Sequence, residues 1–284
     1  MNDTSSKLFK IALCQMKVRP NKKLNLERAR ELISTAVELY KAQVVVLPEM
    51  FNTPLGLPYV EDYAEIESSS ETLNFLSQIS KEKRIYLIGG SIVEKDGNDY
   101  YNTCYCFNTQ GEIKAKHRKL HLFDIDIPGK ITYKESNKYG YGKNFTVFET
   151  EFCKFGIGIC YDIRFPEYAQ ILKQEHGVKF LVYPAAFNTV TGPMHWELLS
   201  RSRALDNNVF LAMCSPSRNY ETPENYQCYG YSTVVSPFGF IIANTTYEED
   251  IVVSNIDLSL VDEITQQIPT FKQKRKDLYK VNKV

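Results

Sequence analysis

The chain has 284 residues, of which 43% are hydrophobic and 24% are charged. These values are ordinary for a globular protein, so they exclude the intrinsically disordered, collagen-like and low-complexity classes. Basic and acidic residues number 34 each, whereas a general nucleic-acid binder would be basic or carry a basic stripe. No apolar stretch approaches the roughly 20 residues that a membrane-spanning helix needs. We therefore expect neither nucleic acid nor membrane as a partner.

The cysteine and histidine pattern disfavours disulfides and metal. The chain has seven cysteines, an odd number, and its polar N-terminus lacks the apolar core of a secretory signal. This combination predicts reduced thiols in the cytoplasm, with a mitochondrial pool as an open alternative. There is no Cys-x-x-Cys pair and the four histidines are scattered, so we expect no metal site.

In the first half of the chain, short apolar runs alternate with segments of helical periodicity. Asn25 is a plausible N-cap for the first helix. The predicted elements are a strand at 9–18, a helix at 25–42, strands at 43–47 and 85–91 on either side of a helix at 72–83, and paired strands at 100–107 and 113–119.

The second half continues in the same way. Ser259 and Asp262 have the spacing of a capping box, so a last helix is predicted to begin near Ser259. The other predicted elements are strands at 155–160, 180–183, 209–215 and 251–256, helices at 166–176 and 195–207, and a hairpin at 231–236 and 240–243.

Strands and helices thus alternate, with hairpins between them, which predicts an α/β layered fold with mixed sheets. The ten to twelve predicted strands are too many for one comfortable open sheet. Two sheets packed face to face, with helices outside, is the simplest arrangement. Because no repeat or linker-like segment interrupts the chain, we expect one continuous domain.

Three predicted strands end in reactive side chains. Glu49 follows the strand at 43–47, Lys119 ends the strand at 113–119, and Cys160 ends the strand at 155–160. Each alone has an ordinary explanation, as a loop carboxylate, a solvated lysine or a buried thiol. Ligands of open α/β sheets bind outside the carboxyl ends of the strands. The shared placement therefore favours one catalytic site over three unrelated residues.

Three motifs around these residues resemble the signatures of the nitrilase superfamily of carbon–nitrogen hydrolases. They are Leu-Pro-Glu at 47–49, His-Arg-Lys-Leu-His-Leu-Phe at 117–123 and Gly-Ile-Cys-Tyr-Asp-Ile-Arg-Phe-Pro-Glu at 158–167. Within that family, three further segments are similar to the omega-amidase branch, namely 123–132, 186–193 and 195–199.

The resemblance spans residues 7–281 and implies a single carbon–nitrogen hydrolase domain over that range, with 1–6 and 282–284 as flexible termini. It implies a four-layer α-β-β-α sandwich with two packed mixed sheets, which forms a homodimer. It also implies that neither a metal nor an organic cofactor takes part.

For the catalytic residues, the resemblance implies a Glu-Lys-Cys triad. Cys160 is then the nucleophile, and Glu49 is the general base and later the acid. Lys119 and the backbone N–H of Tyr161 face the oxyanion, and Glu135 matches the second carboxylate of the family site.

For the substrate, Arg164 and Thr191 match positions that hold a carboxylate in omega-amidases. A planar guanidinium suits a carboxylate because it can bond it at two points. The alternatives are an ion pair of Arg164 with Asp162 or Glu167, and a turn role for Thr191.

Of four other positions near the motifs, two are interpreted as structural and two differ from the residue that is usual in the omega-amidase branch. We expect His121 and His195 to be structural. Leu55 stands where the omega-amidase branch has tyrosine, and Tyr231 where histidine is usual.

The predicted activity is hydrolysis of the terminal amide of 2-oxoglutaramate and 2-oxosuccinamate, through a cysteine thioester, to the 2-oxo dicarboxylate and ammonia. The alternative within the family is another small-amide hydrolase, such as deaminated-glutathione amidase. A papain-like Cys-His enzyme is disfavoured because no histidine is an evident partner for Cys160. A catalytically silent binding protein would have no chemical need of Glu49, Lys119 and Cys160 together.

Overall fold

Two β-sheets face each other at the centre of the molecule, in a computed structural model that describes residues 8–128, 131–221 and 226–284. The strands of this part are β1 (Leu8–Gln15), β2 (Val44–Val46), β3 (Tyr86–Ile88), β4 (Ile92–Asp96), β5 (Asp99–Phe107), β6 (Ile113–Arg118), β7 (Asp124–Ile127), β8 (Ile131–Lys134), β9 (Thr146–Glu149), β10 (Lys154–Ile157), β11 (Phe180–Pro184), β12 (Phe210–Cys214), β13 (Thr233–Val235), β14 (Ile241–Asn244) and β15 (Asp250–Asp257). The helices are α1 (Lys22–Glu38), α2 (Val60–Tyr63), α3 (Glu71–Lys83), α4 (Pro166–His176), α5 (Gly192–Asn207), α6 (Ser259–Gln267) and α7 (Thr270–Gln273).

Each large sheet has a parallel centre and antiparallel edges. The first has the order β15-β1-β2-β3-β5-β4, with β6 also paired to β5, and the second has the order β14-β13-β12-β11-β10-β9. Strands β1, β2 and β3 run parallel, as do β10, β11 and β12. Parallel neighbours need a crossover connection, and α1, α3, α4 and α5 supply these four crossovers. Strands β7 and β8 form a separate pair.

The helices cover the outer faces of the two sheets. Ile33 of α1 and Leu76 of α3 pack with Val45 and Leu87 of the first sheet, while α4 and α5 contact strands of the second. The largest apolar cluster joins side chains of both sheets, among them Val46 from the first and Val182 from the second. The four-layer α-β-β-α prediction is therefore confirmed.

Two predicted helix caps are wrong. Helix α1 begins at Lys22, and the N-cap is Asn21, whose side chain accepts a hydrogen bond from the Leu24 amide at 3.1 Å. Asn25 is buried one turn later, because its amide group bonds the Arg19 backbone. Ser259 is the first residue of α6 and donates to Asp257 Oδ1 at 2.6 Å.

Four strands were not predicted, namely β4, β7, β8 and β9. Each is only four or five residues long, so its signal is weak, although the alternation of polar and apolar residues at Asp124–Ile127 was available in the sequence. The described residues accordingly contain fifteen strands, more than the ten to twelve expected.

Two expectations concern residues outside the described ranges: the flexible terminus at 1–6, and positions 129–130 of the segment at 123–132. None of the helices in the described residues is both long and apolar enough to cross a membrane.

Candidate active site

Cys160 sits on a sharp turn at the end of a central strand. Strand β10 ends at Ile157, and a 3₁₀ turn follows at Cys160–Arg164. Cys160 has a φ of 43°, in the left-handed region that non-glycine residues rarely adopt. Such backbone strain persists only where the surroundings hold it, and it clusters at functional sites. The predicted strand at 155–160 is therefore shorter than expected, since the chain turns in order to present the thiol.

A buried carboxylate holds this turn. Asp162 Oδ2 accepts from the Ile159 amide at 2.9 Å and lies 3.0 Å from His117 Nε2, while Oδ1 lies 2.7 Å from His121 Nδ1. Burial alone would raise the pKa of Asp162, but the hydrogen bonds from His117 and His121 outweigh it and hold the pKa well below its ordinary value. His121 thus helps to hold the turn through its contact with Asp162, in keeping with a structural role.

Three buried charges stand next to the thiol. Lys119 Nζ lies 3.1 Å from Glu49 Oε1, 3.0 Å from Glu135 Oε1 and 2.9 Å from Glu135 Oε2. The Phe123 amide donates to Glu135 Oε2 at 2.7 Å. All three charged side chains are buried. One ammonium between two carboxylates leaves this group with a net negative charge.

Mutual pairing sets the protonation of these groups. Burial alone would lower the pKa of Lys119, but the carboxylates of Glu135 and Glu49 outweigh it and raise that pKa well above its usual value. Burial raises the pKa of Glu135, with Lys119 opposing the shift and Glu49 adding to it. Lys119 therefore remains an ammonium throughout the physiological pH range.

The Cys160 thiol is protonated at rest. Burial, followed by the charge of Glu49, raises the pKa of Cys160 well above its ordinary value. Lys119 and a hydrogen bond from the Ala186 backbone lower it, but they do not compensate. Lys119 thus favours the thiolate, but burial and Glu49 outweigh it, and the net balance leaves a thiol. A nucleophile in this state needs a base at the moment of attack.

Asn102 is a site residue that the sequence interpretation missed. Its Nδ2 donates to Glu49 Oε1 at 2.9 Å, and its backbone oxygen accepts from the Lys119 amide at 2.9 Å. Glu49 Oε1 thus receives two donors, whereas Oε2 accepts no hydrogen bond from the described part of the chain. A signal was available, because Asn102 is a polar residue on the same strand face as Cys104 and Cys106.

One pocket of about 440 Å³ contains the candidate residues. The lining residues include all the site residues predicted from the sequence, together with aromatic side chains and Leu55: Glu49, Leu55, Lys119, Phe123, Tyr133, Glu135, Cys160, Tyr161, Arg164, Ala186, Phe187, Thr191 and Tyr226.

Arg164 lies in the wall of this pocket without an acidic partner. Neither Asp162 nor Glu167 pairs with it within the described ranges; its NH1 lies 3.1 Å from His195 Nδ1 instead. The buried Nε atom has no hydrogen-bond partner in those ranges. The alternative of an internal ion pair is therefore not observed.

Thr191 both lies in the pocket wall, as carboxylate binding requires, and takes part in a turn. It lines the pocket and immediately precedes α5. Its amide and its hydroxyl both donate to Asn188 Oδ1, at 2.8 and 3.0 Å, which forms a turn. The hydroxyl oxygen keeps lone pairs, but its proton is used by Asn188.

The two departures from the family pattern differ in position. Leu55 lines the pocket. Tyr231 does not; its carbonyl accepts from Trp196 Nε1 at 2.7 Å, and its ring stacks on Tyr229. Leu55 therefore bears on substrate fit, while Tyr231 is part of the packing around α5.

Comparisons with known proteins agree on one family. A family model described as carbon-nitrogen hydrolase matches residues 10–266. The chain is 50% identical over 273 residues to "Omega-amidase NIT2" of Homo sapiens and 51% identical over 273 residues to that of Bos taurus, with 96% of this chain and 97% of each relative covered.

Solved structures give the same result. The crystal structure of Saccharomyces cerevisiae Nit3, described as a member of branch 10 of the nitrilase superfamily, is 40% identical with a TM-score of 0.87, covering 95% of this chain and 97% of that one. The C. elegans NitFhit protein is 31% identical with a TM-score of 0.87, covering 98% of this chain and 68% of the other.

Proposed function

Because the chain belongs to the carbon–nitrogen hydrolase family, the nitrilase superfamily, we propose that it is an omega-amidase. It hydrolyses the terminal amide of 2-oxoglutaramate and 2-oxosuccinamate to the 2-oxo dicarboxylate and ammonia. The observation that carries the proposal is a single pocket that holds both Cys160 with its charged neighbours and the guanidinium of Arg164. Such a site can attack an amide at one end of a substrate and bind a carboxylate at the other.

The first half of the reaction forms a thioester. Glu49 takes the thiol proton of Cys160 as sulfur attacks the amide carbon, and the carbonyl electron pair moves onto oxygen. Lys119 and the Tyr161 N–H stabilise this oxyanion; one such donor contributes roughly 3–4 kcal/mol. When the C–N bond breaks, Glu49 returns its proton to the nitrogen, and ammonia leaves.

The second half releases the acid. Glu49 takes a proton from water, whose oxygen attacks the thioester carbon, and the C–S bond then breaks to restore the thiol. Two donors already occupy Glu49 Oε1, so Oε2 is the oxygen that carries the proton in both halves. Glu135 holds Lys119 in place through contacts of 3.0 and 2.9 Å.

Arg164 gives the site its preference for an acid. Its buried Nε lacks a partner among the residues that the structure describes, and an unsatisfied buried donor costs about 1–3 kcal/mol. A substrate carboxylate supplies the missing acceptor. Thr191 lies at the same wall, and it supports the contact when its hydroxyl proton turns from Asn188 Oδ1 to the substrate carboxylate.

We further propose that residues 7–281 form one domain and that the enzyme acts as a homodimer in the cytoplasm. The family match over 10–266 supports the single domain, and the seven free cysteines support the cytoplasmic location.

The homodimer is supported by an exposed apolar face of α5. Met194, Leu198 and Leu205 share this helix face and are 58%, 63% and 47% exposed, which is typical of an interface. Leu198→Glu should convert the dimer to a monomer in light scattering; a monomeric parent protein would contradict the dimer.

The activity is tested by comparing substrates. The purified protein is incubated with 2-oxoglutaramate, glutamine, butyramide and deaminated glutathione, and the acid product is measured. We expect fastest turnover of 2-oxoglutaramate and poor turnover of butyramide, which has no carboxylate. Faster hydrolysis of deaminated glutathione would favour the sister activity instead.

The carboxylate site is tested with Arg164→Ala. Loss of a buried charge-paired contact typically costs ~2–5 kcal/mol, so kcat/KM for 2-oxoglutaramate should fall at least about tenfold. Arg164→Lys should also be costly, because the two-point fork is lost. Butyramide turnover should hardly change, and the exposed Arg275 provides an Arg→Ala control. Equal loss on both substrates would make Arg164 a scaffold residue.

A further inference from the structure

The guanidinium of Arg164 is surrounded by neutral groups. Its NH1 lies 3.1 Å from His195 Nδ1, and its central carbon lies 4.8 Å from the ring centre of Phe187 and 5.6 Å from that of Tyr161. No carboxylate of residues 8–128, 131–221 or 226–284 forms an ion pair with it. A cation in the wall of a pocket is thus held by rings and one imidazole.

The direction of the hydrogen bond defines the state of His195. A guanidinium can only donate, so Nδ1 of His195 must accept. The imidazole is therefore neutral and carries its proton on Nε2. His195 is itself held in the first turn of α5, where its amide donates to the Thr191 carbonyl at 3.0 Å.

A neutral hydrogen-bond acceptor beside Arg164 differs from an acidic one in its effect on the charge of the guanidinium. An aspartate or glutamate at this place would orient the guanidinium but would also neutralise it. An imidazole orients it and leaves its charge uncompensated. It also occupies NH1, so that the edge formed by Nε and NH2 is the one left for a two-point contact with a carboxylate.

We propose that His195 is a positioning residue that holds Arg164 with its Nε–NH2 edge ready for the substrate carboxylate and with its full positive charge. This inference rests on the proposed function, since it assigns a partner to the carboxylate-binding arginine of that site. It replaces the expectation that His195 is merely structural.

The test compares three variants at one position. His195→Asn keeps an acceptor near the place of Nδ1, His195→Asp puts a negative charge there, and His195→Leu removes the acceptor. Steady-state kinetics with 2-oxoglutaramate and with butyramide are measured beside thermal unfolding. His176→Leu is the matched control, because His176 lies on α4, outside the pocket lining.

We expect His195→Leu to raise KM for 2-oxoglutaramate about tenfold with kcat changed less than about threefold, since the variant removes a hydrogen bond to a charged group. His195→Asn should restore most of the loss. His195→Asp should raise KM more than His195→Leu does, because its carboxylate competes with the substrate. Butyramide turnover should stay unchanged in all three variants.

Two results would overturn the proposal. If His195→Leu slows both substrates equally and lowers the melting temperature, the residue only supports the fold. If His195→Asp binds 2-oxoglutaramate as well as His195→Asn does, the neutral charge of the partner is irrelevant; this comparison holds even if the Leu variant fails to fold. Failure of the proposed function looks different, because Arg164→Ala would then leave the preference for 2-oxoglutaramate over butyramide intact.

Discussion

At the catalytic end of the pocket Glu49, Lys119 and Glu135 are paired with one another, whereas at the distal end the guanidinium of Arg164 contacts only an imidazole and aromatic rings within the described ranges. The charged side chains of the catalytic end are buried and Arg164 is half-buried, and the two ends also differ in charge pairing. Burying an unpaired charge is costly, and proteins normally compensate it internally. The catalytic end follows this rule, while under the proposed function the distal end leaves the compensation to the substrate.

The difference corresponds to two tasks. Groups that move protons must keep their geometry and protonation before any substrate arrives, and internal pairing achieves this. A group that selects a substrate by its charge must form a favourable ion pair with that substrate. An ion pair with another residue of the protein would remove most of this binding energy. Variants at the catalytic end should therefore change kcat, and variants at the distal end should change KM.

Cys160→Ala should have the largest effect. It removes the nucleophile while shortening one side chain, so turnover should fall to background with the fold intact by circular dichroism. Mass spectrometry of the quenched parent reaction should find an acyl adduct on Cys160 and on no other cysteine. Cys153→Ala, at a free cysteine outside the pocket lining, is the control. Substantial residual activity in Cys160→Ala would refute the thioester route.

Glu49→Gln should lower kcat by ~10²–10⁴-fold, the usual contribution of a general base. Glutamine keeps the shape but cannot take the thiol proton, and Lys119 retains Glu135 as a partner. KM for 2-oxoglutaramate should change little. Glu38→Gln, at an exposed glutamate on α1, controls for loss of a carboxylate. A large rise in KM at unchanged kcat would place Glu49 among the binding residues instead.

Asn102→Leu should have a smaller effect at the same end. It removes one of two donors to Glu49 Oε1, so kcat should fall about tenfold to a hundredfold. KM for 2-oxoglutaramate should change little, because Asn102 contacts Glu49 from outside the pocket lining. Asn74→Leu, on the exposed side of α3, is the control; an unchanged kcat would show that Asn102 only packs.

Local sequence determined the elements and the reactive positions of this protein. The boundaries of α4 match the predicted 166–176, because Pro166 opens the helix and Gly177 closes it with a φ of 70°. Glu49 and Lys119 follow β2 and β6 of the first sheet and Cys160 follows β10 of the second, so the sequence places all three at strand ends, where ligands of α/β sheets bind. The motifs then assigned the family, since the reaction needs a base, a cation and a thiol together.

Tertiary structure decided the partners and the charge states. The strand pattern marks Asn102 as a polar residue on an apolar face, but only the fold brings its amide to Glu49, 53 residues away. The pKa of Cys160 depends on burial, which arises only when the two sheets close over the thiol. Arg164 has two carboxylates within three residues, yet it meets His195 because Asp162 is engaged by His117 and His121. Contacts of this kind depend on competition for partners in three dimensions, which the order of residues along the chain does not reveal.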